Sequence, residues 1–246
     1  MRSLALGLAL AGLLGCSVPA PAPLNDQQAG QAARANTDLA IHYLRNDALQ
    51  PASAKIDRAL AQDPHLLDAH LVAAEVSTRL ARPDRAERHY RRALAIDGDS
   101  GAALNNYAAF LCQQGRPARA LDLWEMAAAN PLYAREAMVL TNAGDCLAQA
   151  ERGDQARHYW RRALNHEPTF APALAAMTAH SLARGRLDSA NAYFSRYTAS
   201  AQQSPDLLWL GARIAKADND AERYAHFVHR LRQAFPLSEQ AVQLSE

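Results

Sequence analysis

Histidine and cysteine are the residues of this chain best suited to chemistry, but their arrangement gives catalysis little support. His226 and His229 stand three positions apart, so on a helix they share a face and could bind one metal ion. Two imidazoles alone make a weak site, and we interpret them as surface histidines rather than as ligands of a metal-dependent hydrolase. The sequence contains no G-x-S-x-G nucleophile turn, no G-x-x-x-x-G-K-S/T phosphate loop and no H-E-x-x-H motif. It therefore predicts a protein that is not an enzyme and that holds no metal, cofactor or small-molecule substrate.

The first cysteine follows a segment typical of the leader of an exported protein. An apolar run from Leu4 to Leu14 follows Arg2, and its eleven residues are too few to span a bilayer, which takes about 20. Residues 13–16, which overlap the end of this run, read Leu-Leu-Gly-Cys and resemble a bacterial lipobox, in which the cysteine is acylated and becomes the first residue. We predict a signal peptide over residues 1–15 and lipidation of Cys16. The alternative is a signal peptide followed by an unrelated cysteine.

A proline-rich segment follows Cys16 and predicts an extended tether over residues 16–30. Pro19, Pro21 and Pro23 lack amide donors and fix the backbone φ angle, which disfavours a packed element. Ser17 stands where an aspartate would, in bacterial lipoproteins, favour retention in the inner membrane. The resemblance to lipoproteins therefore implies an anchor in the outer membrane, on its periplasmic face.

Composition predicts an all-α fold and excludes a nucleic-acid binder of the usual basic kind. Of the 246 residues 49% are hydrophobic, and 55 are alanine, the strongest helix former, whereas isoleucine and valine together number ten. Charge nearly cancels, with 26 Lys and Arg against 25 Asp and Glu. Because no basic patch is available, the acyl chains on Cys16 must hold the protein on a membrane.

An internal repeat of about 34 residues organises the rest of the chain. The segments 86–94, 120–127 and 156–164 each have an alanine, an aromatic residue four positions later and another alanine three positions after that. Mid-repeat turns are predicted at Gly115, Gly153 and Gly185. This pattern is typical of the tetratricopeptide repeat (TPR), a pair of antiparallel helices. We predict a TPR superhelix over residues 31–246, with six repeats near 33–66, 67–100, 101–134, 137–170, 171–204 and 206–238.

The two remaining cysteines are 34 residues apart, which is one repeat period. Cys112 and Cys146 therefore fall on the first helices of neighbouring repeats, where a disulfide is geometrically plausible in an exported protein. Two buried free thiols remain the alternative.

Three motifs together resemble a known family. Residues 104–115 read LNNYAAFLCQQG, residues 130–133 read NPLY, and residues 142–146 read NAGDC. With the lipobox, these are similar to the type IV pilus biogenesis/stability TPR lipoprotein family of the PilW/PilF type, except that Ala108 stands where that family has glycine. The resemblance implies a disulfide between Cys112 and Cys146. It also implies an outer-membrane pilotin that binds the pilus secretin and promotes its outer-membrane localisation and multimerisation.

The concave face of a TPR stack, lined mainly by first helices, is the expected binding surface. Ile41 and Leu44 in the first repeat could form an apolar groove for a partner, or could pack within their own repeat. Asn105 and Asn106 could bond a partner backbone, or could order the contact between repeats. An alternative function of similar class is a lipoprotein scaffold for cell-wall or outer-membrane assembly enzymes.

Overall fold

Helices arranged in antiparallel pairs make up the protein, for which a computed structural model describes residues 25–244. Within that part of the chain there are thirteen α-helices and no strand. Twelve helices form six pairs, as the TPR prediction requires, and a short thirteenth follows the last pair. The helices are α1 Asp26–Arg45, α2 Leu49–Gln62, α3 Leu67–Arg79, α4 Pro83–Ile96, α5 Gly101–Gln113, α6 Pro117–Ala129, α7 Glu136–Gln149, α8 Gly153–His166, α9 Ala171–Ala183, α10 Leu187–Ser200, α11 Pro205–Ala217, α12 Ala221–Ala234 and α13 Glu239–Gln243.

A large side chain on the second helix of each central pair packs close to a small residue on the first. The clearest case is Gly144, where an added Cβ atom would lie 2.5 Å from the indole Nε1 of Trp160. Such an approach leaves no room for a side chain on the first helix. The same register, a buried small residue sixteen positions before a buried aromatic one, occurs in Ala74 and Tyr90, Ala108 and Trp124, and Thr178 and Phe194. This register explains the aromatic and alanine repeat in the sequence.

Each turn between the two helices of a pair contains one residue with positive φ. Glycine occupies this position in only two pairs, so the other four turns hold residues with side chains. The prediction that Gly153 marks a turn was wrong, because Gly153 is the first residue of α8 and Glu151, with φ of 59°, takes the left-handed position. The six positions are Asp47, Ala81, Gly115, Glu151, Gly185 and Asn219.

The first helix begins earlier than the sequence predicted. Asn25 caps α1: its side-chain oxygen accepts a hydrogen bond from the Gln28 amide at 2.9 Å, and the Gln28 side chain accepts one from the Asn25 amide at 3.1 Å. This reciprocal capping box stabilises a helix start at Asp26. The tether prediction was therefore wrong for residues 26–30. The predicted leader, Cys16 and tether residues 17–24 lie outside the described residues.

The first helices of successive pairs stack directly on one another. Contacts run from α1 to α3, and so on through α5, α7 and α9 to α11, while each second helix also packs on the first helix of the next pair. This arrangement exposes one face of the first helices. We call this face, on α1, α3, α5, α7, α9 and α11, the inner face. Among the helices of residues 25–244, none is both long enough and apolar enough to cross a membrane.

Candidate partner-binding surface

A small cavity lies on the inner face between α1 and α3 and contains one of the predicted groove residues. Ile41 lines this space of about 350 Å³, which we call the amino-terminal cavity. Leu44 is half-buried and does not line it, although its carbonyl oxygen accepts a hydrogen bond from Arg79 Nη1 at 3.0 Å. Of the two predicted groove residues, Ile41 therefore lines the cavity and Leu44 does not. The full lining is apolar with a charged rim and consists of Arg34, Thr37, Asp38, Ile41, Leu66, Asp68, Leu71 and Val72.

Asn105 joins three helices and does not face a partner. Only 6% of the residue is exposed, and its amide oxygen accepts hydrogen bonds from Trp124 Nε1 at 3.1 Å and from Asn142 Nδ2 at 3.0 Å. A carbonyl-type oxygen has two lone pairs, so both are in use. The Asn105 amide nitrogen donates to Asn106 Oδ1 at 3.3 Å. The groove prediction for Asn105 is corrected accordingly, whereas Asn106 is exposed on α5.

Cys112 and Cys146 connect the stacked first helices of the third and fourth pairs. Their sulfur atoms lie 2.06 Å apart, the length of a disulfide bond, and their Cα atoms are separated by 5.9 Å. Cys146 is buried in the core, and Cys112 is half-buried. The bond therefore ties α5 to α7 in the middle of the stack.

Glu87 holds the second and third pairs together through a cluster of charged hydrogen bonds. Arg116 donates to its carboxylate at 2.9 Å, and the Tyr107 hydroxyl donates at 2.8 Å. Arg91, one turn along α4, donates at 2.8 Å. The hydrogen bond from Arg116, followed by that from Tyr107, lowers the pKa of Glu87 to about 2. The carboxylate thus stays ionised and keeps these helices in fixed register.

A longer groove runs along α9 and α11 at the other end of the inner face. Trp209 lies between two spaces, one of about 600 Å³ floored by Ala175, Ala176 and Ala179, and one of about 580 Å³. The second is lined by Leu182, Trp209, Ala212, Arg213, Lys216, Ala217, Tyr224, Gln243 and Leu244. We call these two spaces together the carboxyl-terminal groove. The carboxyl-terminal groove is not among the sites predicted from the sequence, because a row of alanines in an alanine-rich chain gives no distinct signal.

The two histidines considered first lie on α12, the second helix of the last pair. His226 is exposed, and its ring lies edge-on to Phe227 with centroids 5.8 Å apart. Within residues 25–244 there is no group of three His, Cys, Asp or Glu side chains that could hold a metal ion.

Comparison with solved structures identifies the family. The chain is 33% identical in sequence to PilW, described as a widely conserved type IV pilus biogenesis factor. The match covers 88% of this chain and 99% of that one, with a TM-score of 0.74. The chain belongs to the type IV pilus biogenesis TPR family. No family model matches the sequence.

Two further comparisons support membership of the type IV pilus biogenesis TPR family. The type IV pilus assembly protein PilF of Pseudomonas aeruginosa is 29% identical over 239 residues, which cover 96% of this chain and 94% of PilF. A solved structure of P. aeruginosa PilF gives a TM-score of 0.71 at 27% identity, with coverage of 88% and 98%. The family resemblance and the TPR fold inferred from the sequence are therefore confirmed.

Proposed function

We propose that this chain is a lipid-anchored pilotin. It would bind the pilus secretin, bring it to the outer membrane and promote its multimerisation, without enzymatic activity of its own. The observation that carries the proposal is the match along nearly the whole length of PilW and PilF, whose names refer to type IV pilus biogenesis and assembly. The lipobox-like residues that end at Cys16 supply the anchor.

The amino-terminal cavity is the place where we expect the secretin to dock. It lies on the first two repeats, and α1, which lines it, follows the predicted tether in the sequence, so we expect a bound subunit to be held near the membrane surface. Ile41, Leu71 and Val72 give it an apolar interior that an aliphatic side chain of the partner can fill. Arg34, Asp38 and Asp68 at its edge can fix the orientation of the bound segment.

Replacing Ile41 with glutamate is expected to reduce secretin multimers in the outer membrane by more than about tenfold, because a carboxylate cannot enter an apolar cavity without losing its hydration. The variant is expressed from its own locus in the source bacterium, and multimers are measured by immunoblotting of outer-membrane fractions. Leu39→Glu is the matched control, since Leu39 is on the same helix, is 44% exposed and does not line the cavity.

The anchor is tested in the same strains. Cys16→Ser is expected to remove the chain from the outer-membrane fraction and to reduce secretin multimers there. Multimers that stay at the level of the parent strain when the gene is deleted would overturn the pilotin proposal. Multimers that persist in the Ile41→Glu strain but disappear on deletion would overturn only the docking site. If the purified chain retains peptidoglycan hydrolases and no secretin, the scaffold alternative is favoured instead.

A further inference from the structure

We propose that the carboxyl-terminal groove is a second binding site, which takes an extended segment of a protein that carries acidic side chains beside large apolar ones. This site goes beyond the secretin docking proposed above, because it lies on the last two repeats and shares no residue with the amino-terminal cavity. Either site can therefore be lost without the other.

The side chains on the floor of the groove are smaller than most of those at the same positions of the third, fifth and seventh helices. Ala175, Ala176 and Ala179 occupy helix positions that the third helix fills with Leu71, Val72 and Glu75, and that the seventh fills with Thr141, Asn142 and Asp145. Small side chains at these positions leave room for side chains of a partner. The two spaces together amount to well over the size of a single side chain, and Trp209 borders both. This shape fits a peptide segment laid along α11.

Trp209 differs from the other two tryptophans in its unused hydrogen-bond donor. Trp124 donates its indole N–H to Asn105 at 3.1 Å, and Trp160 donates to Asp145 at 2.8 Å. No acceptor among the described residues receives the indole N–H of Trp209, which is only half-buried. A large apolar ring with a free polar atom is typical of binding surfaces. The backbone carbonyl of a bound peptide would supply the missing acceptor.

The charge around the groove specifies the chemistry of the occupant. Arg213 and Lys216 are exposed one turn apart on α11, and neither makes an ion pair or hydrogen bond with any residue in the described range 25–244. None of the described residues that line this 580 Å³ space is acidic. Two unpaired cations beside an apolar floor favour a carboxylate from the partner.

The opposite end of the groove has the other sign of charge, which gives a bound segment a direction. Asp206 lines the 600 Å³ space, and its carboxylate accepts a hydrogen bond of 2.6 Å from Gln240 on α13. The acidic side chain of the occupant is therefore expected near Lys216, at the end of α11, and its apolar side chains over the alanine floor.

The test uses synthetic peptides of about twelve residues that alternate leucine with glutamate, glutamine or lysine. The mature chain carries Cys16→Ser so that it stays in solution, and binding is followed by the three indole N–H signals in ¹H–¹⁵N NMR spectra. The leucine and glutamate peptide is expected to shift the Trp209 signal saturably and to leave those of Trp124 and Trp160 unchanged. The glutamine peptide is expected to bind at least about tenfold more weakly, and the lysine peptide not at all.

Charge reversal in the groove supplies the matched comparison. Arg213→Glu with Lys216→Glu is expected to abolish binding of the glutamate peptide, whereas Arg58→Glu with Arg119→Glu changes the net charge equally at exposed sites on α2 and α6 and is expected to leave it intact. The proposal is overturned if the glutamate peptide does not move the Trp209 signal, if the glutamine peptide binds as well, or if both double variants behave alike. None of these results depends on the secretin, so failure here is separate from failure of the pilotin proposal.

Discussion

Replacing Trp124 with alanine is expected to lower the free energy of unfolding by about 3–5 kcal/mol, the usual loss for a large buried ring. Trp124 is 2% exposed and belongs to the core formed by the second, third and fourth pairs. Its removal leaves a cavity. It also removes one of the two hydrogen bonds that the Asn105 amide oxygen accepts; the other, from Asn142, links α5 to α7. The loss therefore combines packing with an incomplete buried hydrogen-bond network.

Thermal and urea unfolding followed by circular dichroism measure this loss, with two further variants. Trp124→Phe keeps a ring but not the indole N–H, and its free energy of unfolding is expected to be lower by about 1–3 kcal/mol. This variant still tests the prediction if the alanine variant does not fold. Trp209→Ala is the control, because its ring is half-exposed and makes no hydrogen bond to a described residue. Equal losses for Trp124→Ala and Trp209→Ala would contradict the role assigned to Trp124.

Loss of the bond between Cys112 and Cys146 is expected to lower stability by about 3–4 kcal/mol, because the bond closes a loop of 34 residues in the unfolded chain. The comparison uses a chain with Cys16→Ser, in which only this pair can oxidise. A reductant is expected to lower the melting temperature of that chain by several degrees. The same treatment is expected to leave a Cys112→Ala, Cys146→Ala variant unchanged, since it has no bond to reduce.

Alanine is the appropriate replacement because Cys146 lies in an apolar core, where a serine hydroxyl would need a partner. A thiol assay on the unfolded, non-reduced chain provides the independent readout. Two reactive thiols per chain, together with a melting temperature that does not respond to reductant, would show that the pair is reduced in the native protein and would contradict the prediction.

The repeat architecture was readable from the sequence because it depends on residue size at fixed spacing. Trp160 requires a residue as small as Gly144 opposite it, and the small residues Ala74, Ala108 and Thr178 stand at the same position in the other central pairs. The glycine positions predicted the turns less well, because glycine takes the left-handed position in only two of the six turns. The left-handed positions are exposed at the ends of short turns, so Glu151 and Ala81 occupy them although side chains there carry a backbone cost.

The binding surface was less readable, because the direction of a side chain depends on neighbours that are distant in sequence. Asn105 and Asn106 are adjacent in sequence. Asn105 is buried and accepts hydrogen bonds from Trp124 and Asn142, whereas Asn106 is exposed. The carboxyl-terminal groove exists because the side chains of its alanines are too small to fill it. It also depends on Trp209, whose indole N–H has no hydrogen-bond acceptor among the described residues. Its alanines carry no signal in the sequence, but Trp209, the tryptophan outside the aromatic repeat, marks its position.

Co-purification of the secretin with the full-length, lipidated chain from detergent-solubilised membranes tests the central claim most directly. A tagged chain expressed at its natural level in the source bacterium is expected to retain the secretin, and the Ile41→Glu variant is expected to lose it while Leu39→Glu does not. Recovery of the tagged chain from the outer membrane with no secretin bound would contradict the account.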